Sequence, residues 1–321
     1  MTKFSQKDIR ITILSAAGLA VAALLPLFDQ GYYLSLAVNI AMYAVLCTAW
    51  TLFSGPTHYI SLATAALFGV GTYSVGLGID ILPFPVLIGI GAILSAGLAG
   101  LVGIATLRLS GVYFVIFTLG LAELVREIVT WAQTKFAGSV GLYVFTDLTE
   151  SHIYWMLLVL AAVVYLTGWL INRSRLGFAM RIIGNDETVA RHVGIDTALA
   201  KVILFMVSGA FIGIVGALMA PRFSYVEPPS AFNTMISFQV VIMALLGGTK
   251  RLWAPLLGVI PFTLLFDQVS AYFPNHTSLL IGGVFVAIVY LLPRGVLGLI
   301  EDIGGLKKRF RIVLTDEKRP S

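Results

Sequence analysis

The sequence predicts an all-α fold: a polytopic transmembrane helical bundle of about ten spans with both termini cytoplasmic. Three observations carry that expectation. Of 321 residues, 58% are hydrophobic and 12% charged, with a mean hydropathy of +0.94, against about 25% charged in ordinary soluble domains. Apolar runs recur at close to the roughly 20 residues that a helix needs to cross a hydrocarbon core. Strands crossing a bilayer would alternate apolar and polar positions, and these runs do not, which leaves helix as the spanning element.

The runs fall at 11–28, 32–53, 60–79, 84–106, 110–132, 151–172, 199–221, 232–247, 252–272 and 277–292. The first follows Lys3, Lys7 and Arg10, but it is long and another run comes at once, so it reads as a retained span. Gly55-Pro56 breaks the chain between the second and third runs, and the 54–59 connection carries no charge, which makes the two runs candidates for a partly re-entrant pair. The fourth carries Gly97, Gly100 and Gly103, and the seventh carries Gly209, Gly213, Gly216 and Ala217. Such small faces let helices approach closely where lipid supplies no hydrophobic drive between them. In the fifth, Glu123, Arg126 and Glu127 stand at i, i+3 and i+4, so the arginine pairs within its own helix. Pro255 and Pro261 interrupt the ninth, and Asp267 lies toward its outer end. Asn39, Thr118 and Gln239 are isolated polar residues inside runs; each either lines a path or bonds a neighbouring helix. Residues 1–302 read as the membrane domain and 303–321 as a mixed-charge cytoplasmic tail.

Orientation follows from the basic residues, which collect in cytoplasmic loops. With both ends inside, all 21 Lys and Arg except Arg126, Lys135 and Arg222 fall on the cytoplasmic side. The net charge of +5 is then a topology signal and not a nucleic-acid surface. A single cysteine, Cys47, excludes an internal disulfide and a thiolate cluster. His58, His152, His192 and His276 lack metal-ligand spacing. Gly247-Gly248-Thr249-Lys250 lacks the upstream glycine and the hydroxyl of a phosphate cradle, and neither G-x-S-x-G nor H-E-x-x-H occurs. These absences argue against an enzyme.

One polar island, 173–201, interrupts the apolar chain with the text RSRLGFAMRIIGNDETVARHVGIDTALAK. Asn185 is placed to cap a short helix with Asp186 and Glu187 in its first turn, where carboxylates suit the positive end of the dipole. Gly194 is placed to stop that helix, and Val189 and Val193, at i and i+4, give it a small apolar face. From the residues alone the island is either a helix offered to a partner or a solvated loop rich in positive-inside charge.

Several segments, in order from about residue 50 to 300, resemble the permease subunit of branched-chain amino acid ABC importers. Ser61 to Tyr73, SLATAALFGVGTY, is similar to the family's S-L-G-H-A-A-F-F-G-I-G-A-Y stretch. Arg108-Leu109-Ser110-Gly111-Val112-Tyr113-Phe114, with Thr118-Leu119 and Glu123, resembles its R-L-R-G-x-Y-F…T-L…E run. Ser174-Arg175-Leu176-Gly177, through Arg181 and Glu187 to Gly194-Ile195-Asp196, is similar to its ATPase-docking loop. Leu246-Gly247-Gly248 with Pro255 and Gly258, and Pro293-Arg294-Gly295 with Gly298, match its closing motifs. The departures are His58-Tyr59-Ile60 in place of the family's usual G-Q, Ala63 and Thr64 in place of its Gly and His, and a glycine-rich outer loop reduced to Gly138-Ser139-Val140-Gly141.

The resemblance implies an importer subunit in a bacterial inner membrane. An extracytoplasmic solute-binding protein would deliver the solute, a second permease would complete the pathway as a heterodimer, and two cytosolic ATPases would hydrolyse ATP. This chain would bind no cofactor itself. Gly177, Arg181, Asp186, Glu187, Val189, Val193 and Gly194 would form the coupling element. Asn39, His58, Ser61, Thr118, Glu123 and Gln239 are candidates to line the path. The implied solute is a branched-chain amino acid or a related small polar molecule, and the departures leave amides, urea and organic acids in view. A self-contained carrier coupled to ions through Glu123, Glu127 or Asp267 stands as the alternative.

Overall fold

The computed structural model describes Pro26 and residues 31–287, except 107–110, 137, 139, 250, 277–278, 281 and 285. The expected first span (Pro26 aside), residues 288–292 of the expected tenth, Arg108-Leu109-Ser110, the Pro293–Gly298 motif and the 303–321 tail lie outside the described residues. The helices are α1 (Tyr32–Thr57), α2 (Thr64–Gly78), α3 (Phe84–Thr106), α4 (Val112–Phe136), α5 (Glu150–Arg173), α6 (Arg175–Asn185), α7 (Glu187–His192), α8 (Thr197–Phe223), α9 (Pro228–Ala231), α10 (Thr234–Gly247) and α11 (Pro255–Tyr272). Two short strands, β1 (Leu142–Tyr143) and β2 (Tyr225–Val226), pair antiparallel with Leu142 opposite Val226.

Six helical stretches are long and apolar enough to cross a membrane: Tyr32–Thr57, Phe84–Ala105, Glu150–Arg173, Thr197–Phe223, Pro228–Gly247 and Pro255–Tyr272. The protein is an all-helical, multi-span membrane protein, with six such spans among the described residues against the ten expected. Two of the shortfalls have physical causes. The run at 60–79 becomes α2, only 15 residues long, or about 22 Å at about 1.5 Å per residue. The run at 110–132 becomes α4, whose Glu123, Arg126 and Glu127 lower the hydropathy of its middle.

Helix α1 is the axis of the bundle, with a continuous buried stretch from Ala41 to Ser54. It packs against α5, α8, α10 and α11, while α8 makes its most extensive contacts with α3 and α2. Glycine makes the α2–α8 seam possible. A methyl group on Gly71 would overlap the Gly213 carbonyl, and one on Gly216 would overlap that of Phe68. The α8 face of Gly209, Gly213, Gly216 and Ala217 is thus a packing face. On α3 the expected Gly97-Gly100-Gly103 face is displaced. Gly97 borders open space, and α8 is met by Gly91, Ser95 and Ala99, with Gly100 against Met206. The turn of α3 toward α8 selects that row.

The connection between α1 and α2 re-enters the bundle. His58 closes α1 in the left-handed region at φ 59°, and the chain folds back so that the Ser61 carbonyl accepts from Trp50 Nε1 at 2.8 Å. Trp50 lies seven residues before the end of α1, so Ser61 sits about 10 Å inside that end. Non-helical backbone at such depth is tolerated only where protein groups satisfy it. The Leu62 amide donates to Thr118 Oγ1 at 3.0 Å, the Ala65 amide to Ser237 Oγ at 2.8 Å, and Ser237 Oγ donates to the Leu62 carbonyl at 2.8 Å. Hydroxyls from α4 and α10 thereby hold the N-terminus of a truncated helix.

Candidate functional site

The polar island forms two helices, α6 and α7, against one end of the bundle. Ser174 Oγ accepts from the Gly177 amide at 3.4 Å, and Gly177 is buried where a methyl group would overlap the Ile171 carbonyl. Gly184 lies as tightly on the Pro56 carbonyl, which seats α6 on the end of α1. The cap of α7 is Asp186 and not Asn185, which ends α6. Asp186 is extended, so its carboxylate reaches the Thr188 and Val189 amides at 2.7 and 3.2 Å. A full negative charge at that position also meets the positive helix end better than a neutral amide does.

Gly194, at φ +81°, terminates α7 as expected, with the Ile195 amide returning to the Ala190 carbonyl at 3.1 Å. Only a residue without Cβ enters that region freely. Ala190 is buried against the bundle, whereas Val189 and Val193 are 50% and 65% exposed. The predicted apolar pair therefore faces away from the protein. Beside it a shallow groove is lined by Arg175, Phe178, Arg181, Ile182, Val193 and Ile195.

Glu187 ties this unit inward. Its Oε2 lies 2.6 Å from Lys201 Nζ on α8, a side chain 1% exposed, while Oε1 accepts from Arg191 at 2.9 Å and Thr197 at 3.2 Å. Partial burial pushes the Glu187 carboxyl up, but hydrogen bonds from Lys201 and Arg191 outweigh it, and the net shift is downward. Glu187 stays ionised. Lys201 is the site residue that sequence reasoning missed, because it counts there simply as positive-inside charge. Its place just inside an apolar run was the available signal.

The path candidates are scattered. Asn39 Oδ1 accepts from Arg222 at 2.7 Å at the opposite end of the bundle, where Arg222 also meets Ser35 and Glu150. His58 is exposed beside α6. Ser61 and Thr118 are buried together at the re-entrant segment, and Gln239 is buried on α10, bonded to the Tyr43 hydroxyl. Glu123 stands apart, half-buried on α4, with Arg126 at 2.5 Å and Glu127 sharing that arginine at 3.2 Å. The Asp267 carboxylate takes the Tyr32 hydroxyl.

Long apolar helices, a re-entrant segment satisfied by side chains, and a capped helical unit at one end describe a multi-span membrane protein. The family model described as "Branched-chain amino acid transport system / permease component" matches residues 32–289, and the chain belongs to that family. It is 25% identical to the high-affinity branched-chain amino acid transport system permease protein LivM of Salmonella typhimurium, over 87% of this chain and 73% of that one. It is 28% identical to the guanosine ABC transporter permease protein NupP of Bacillus subtilis, over 51% of this chain and 47% of that one. It is 26% identical to the D-allose transport system permease protein AlsC of Escherichia coli, over 71% and 72%. No solved structure gives a significant match. The chain is thus an ABC importer permease and not an enzyme; its family works with separate ATPase subunits and binding proteins.

Proposed function

We propose that this chain is the permease subunit of an ATP-driven importer for branched-chain amino acids or a related small polar solute, resident in a bacterial inner membrane. It forms the path as a heterodimer with a second permease. Two cytosolic ATPases drive it, and an extracytoplasmic solute-binding protein feeds it. The supporting observation is α7: capped at Asp186, stopped at Gly194, tied inward by Glu187, and presenting Val189 and Val193 outward. Gly177 seats the unit, and the exposed Arg181 flanks the groove as a contact for acidic ATPase side chains. Of the path candidates, Ser61 and Thr118 are the two that meet at the re-entrant segment, whose backbone is bonded to Trp50, Thr118 and Ser237, so a polar solute would reach it by displacing those partners.

Val189→Asp and Val193→Asp are the direct test, because a carboxylate on that apolar edge removes docking without touching the bundle. Each variant is expected to insert and to lose its ATPase in detergent co-purification; normal co-purification of both refutes the assignment. The ion-coupled carrier gains nothing from the geometry, because Glu123 and Glu127 share Arg126 and Asp267 is engaged by Tyr32. Uptake by the isolated chain in liposomes, driven by an ion gradient, would reinstate it.

A further inference from the structure

Lys201 is a buried cation on α8, and its two closest polar partners lie on the two elements that import would set in motion. Glu187, 2.6 Å away, is the first residue of α7. Tyr59, whose hydroxyl is 3.2 Å from Lys201 Nζ and whose ring centroid is 4.5 Å away, belongs to the re-entrant segment. The Tyr59 hydroxyl also reaches Glu187 Oε2 at 3.5 Å, so the three groups close a triangle. From there contacts continue inward. The Tyr59 ring meets Phe114 of α4 edge-on at 5.4 Å, and three residues on, Leu62 is fixed by Thr118 of the same helix.

A buried ammonium is tolerated only with its donors met, and removing one partner leaves the other charge exposed to a poor solvent. Lys201 is thus held at both sides, and α7 cannot shift without pulling either on Lys201 or on Tyr59. We infer that Lys201 and Tyr59 are positioning residues that transmit displacement of α7 to the re-entrant segment at 58–63. The inference rests on α7 being the ATPase-facing element, and it adds the internal half of the route.

The test uses the full complex with its ATPases in a Cys47→Ala background, with a reporter thiol from Ile60→Cys; Ile60 is 38% exposed. The maleimide modification rate is compared without nucleotide and with ATP plus vanadate. With Lys201 present the two rates are expected to differ by about five-fold or more, the lower end of coupling between linked sites. Lys201→Met is expected to remove that difference while the ATPase still co-purifies, and Lys201→Arg to restore it. If Lys201→Met does not assemble, Tyr59→Leu decides, since it leaves the Lys201–Glu187 pair in place; it too is expected to lose the difference.

A nucleotide-dependent difference that persists in Lys201→Met or in Tyr59→Leu overturns the inference. So does the lack of any difference in the unsubstituted complex. Either result leaves the docking assignment standing, which fails separately if Val193→Asp retains its ATPase.

Discussion

At the scale of single residues, Glu187 concentrates the chemistry of the candidate site. Two cations and two hydroxyls converge on one carboxylate that is 29% exposed. Replacing it by Ala strands Lys201 and is expected to cost about 3 kcal/mol, at the low end for a broken buried pair, read as a fall in melting temperature of the detergent-solubilised chain. Because the folded carboxyl is depressed, its contribution is complete above the ordinary value of 4.5 and disappears as pH falls through the lower folded value. A melting-temperature profile that loses stability already near neutral pH, and not in Glu187→Gln, would contradict that sign. Glu187 was legible in the sequence as a first-turn carboxylate. Its partner was not, since Lys201 is 14 residues away and only the return of the chain along α8 brings it close. Thr118 and Gln239 were legible as polar residues out of place, while Ser237, which clamps the re-entrant backbone, carries no local mark.

At the scale of elements, sequence pattern located α7 within one residue. It missed α6, although Leu176, Met180 and Ile183 stand at i, i+4 and i+7 and form one apolar face; the charges around them pass for those of a cytoplasmic loop. Asp186→Ala is expected to remove about 1 kcal/mol of capping and to speed amide exchange at Thr188 and Val189, leaving α6 protected. Gly194→Val places a branched side chain at φ +81° and is expected to loosen the end of α7 and lower ATP-driven uptake; uptake equal to the unsubstituted protein would remove Gly194 from the coupling element. A break between the second and third runs was anticipated from Gly55-Pro56; α1 is nonetheless long enough to cross, and only its connection to α2 folds back. The break itself falls at His58, past the end of α1, because the proline lies in the last turn, where α1 continues through it. For α2, hydropathy could not reveal a shortened helix, since the non-helical residues Ile60 to Ala63 before it are as apolar as a span.

At the scale of the whole molecule, the apolar runs were enough for an all-helical, multi-span protein, and six of the ten expected crossings stand among the described residues. Orientation remains a definite expectation. The 173–201 island and the Tyr143–Tyr225 strand pair lie at opposite ends of α5 and α8. In a Cys47→Ala background, a thiol replacing Val193 is expected to react with an impermeant reagent only from the cytosolic side. One replacing Phe145 is expected to react only from the outside. Labelling of both from one side would refute the topology.

The glycine seam between α2 and α8 also restricts how such a subunit changes shape. Where main chain rests on main chain at Gly71 and Gly213, with Phe68 pressed on Gly216, neither helix has side-chain cushions on which to glide. The two are expected to move as a riveted plate, and alternating exposure of a solute then comes from tilting that plate against the helices around it. A covalent tie between α2 and α8 would then leave import running, and import that stops on tying them would show that the rivet slips.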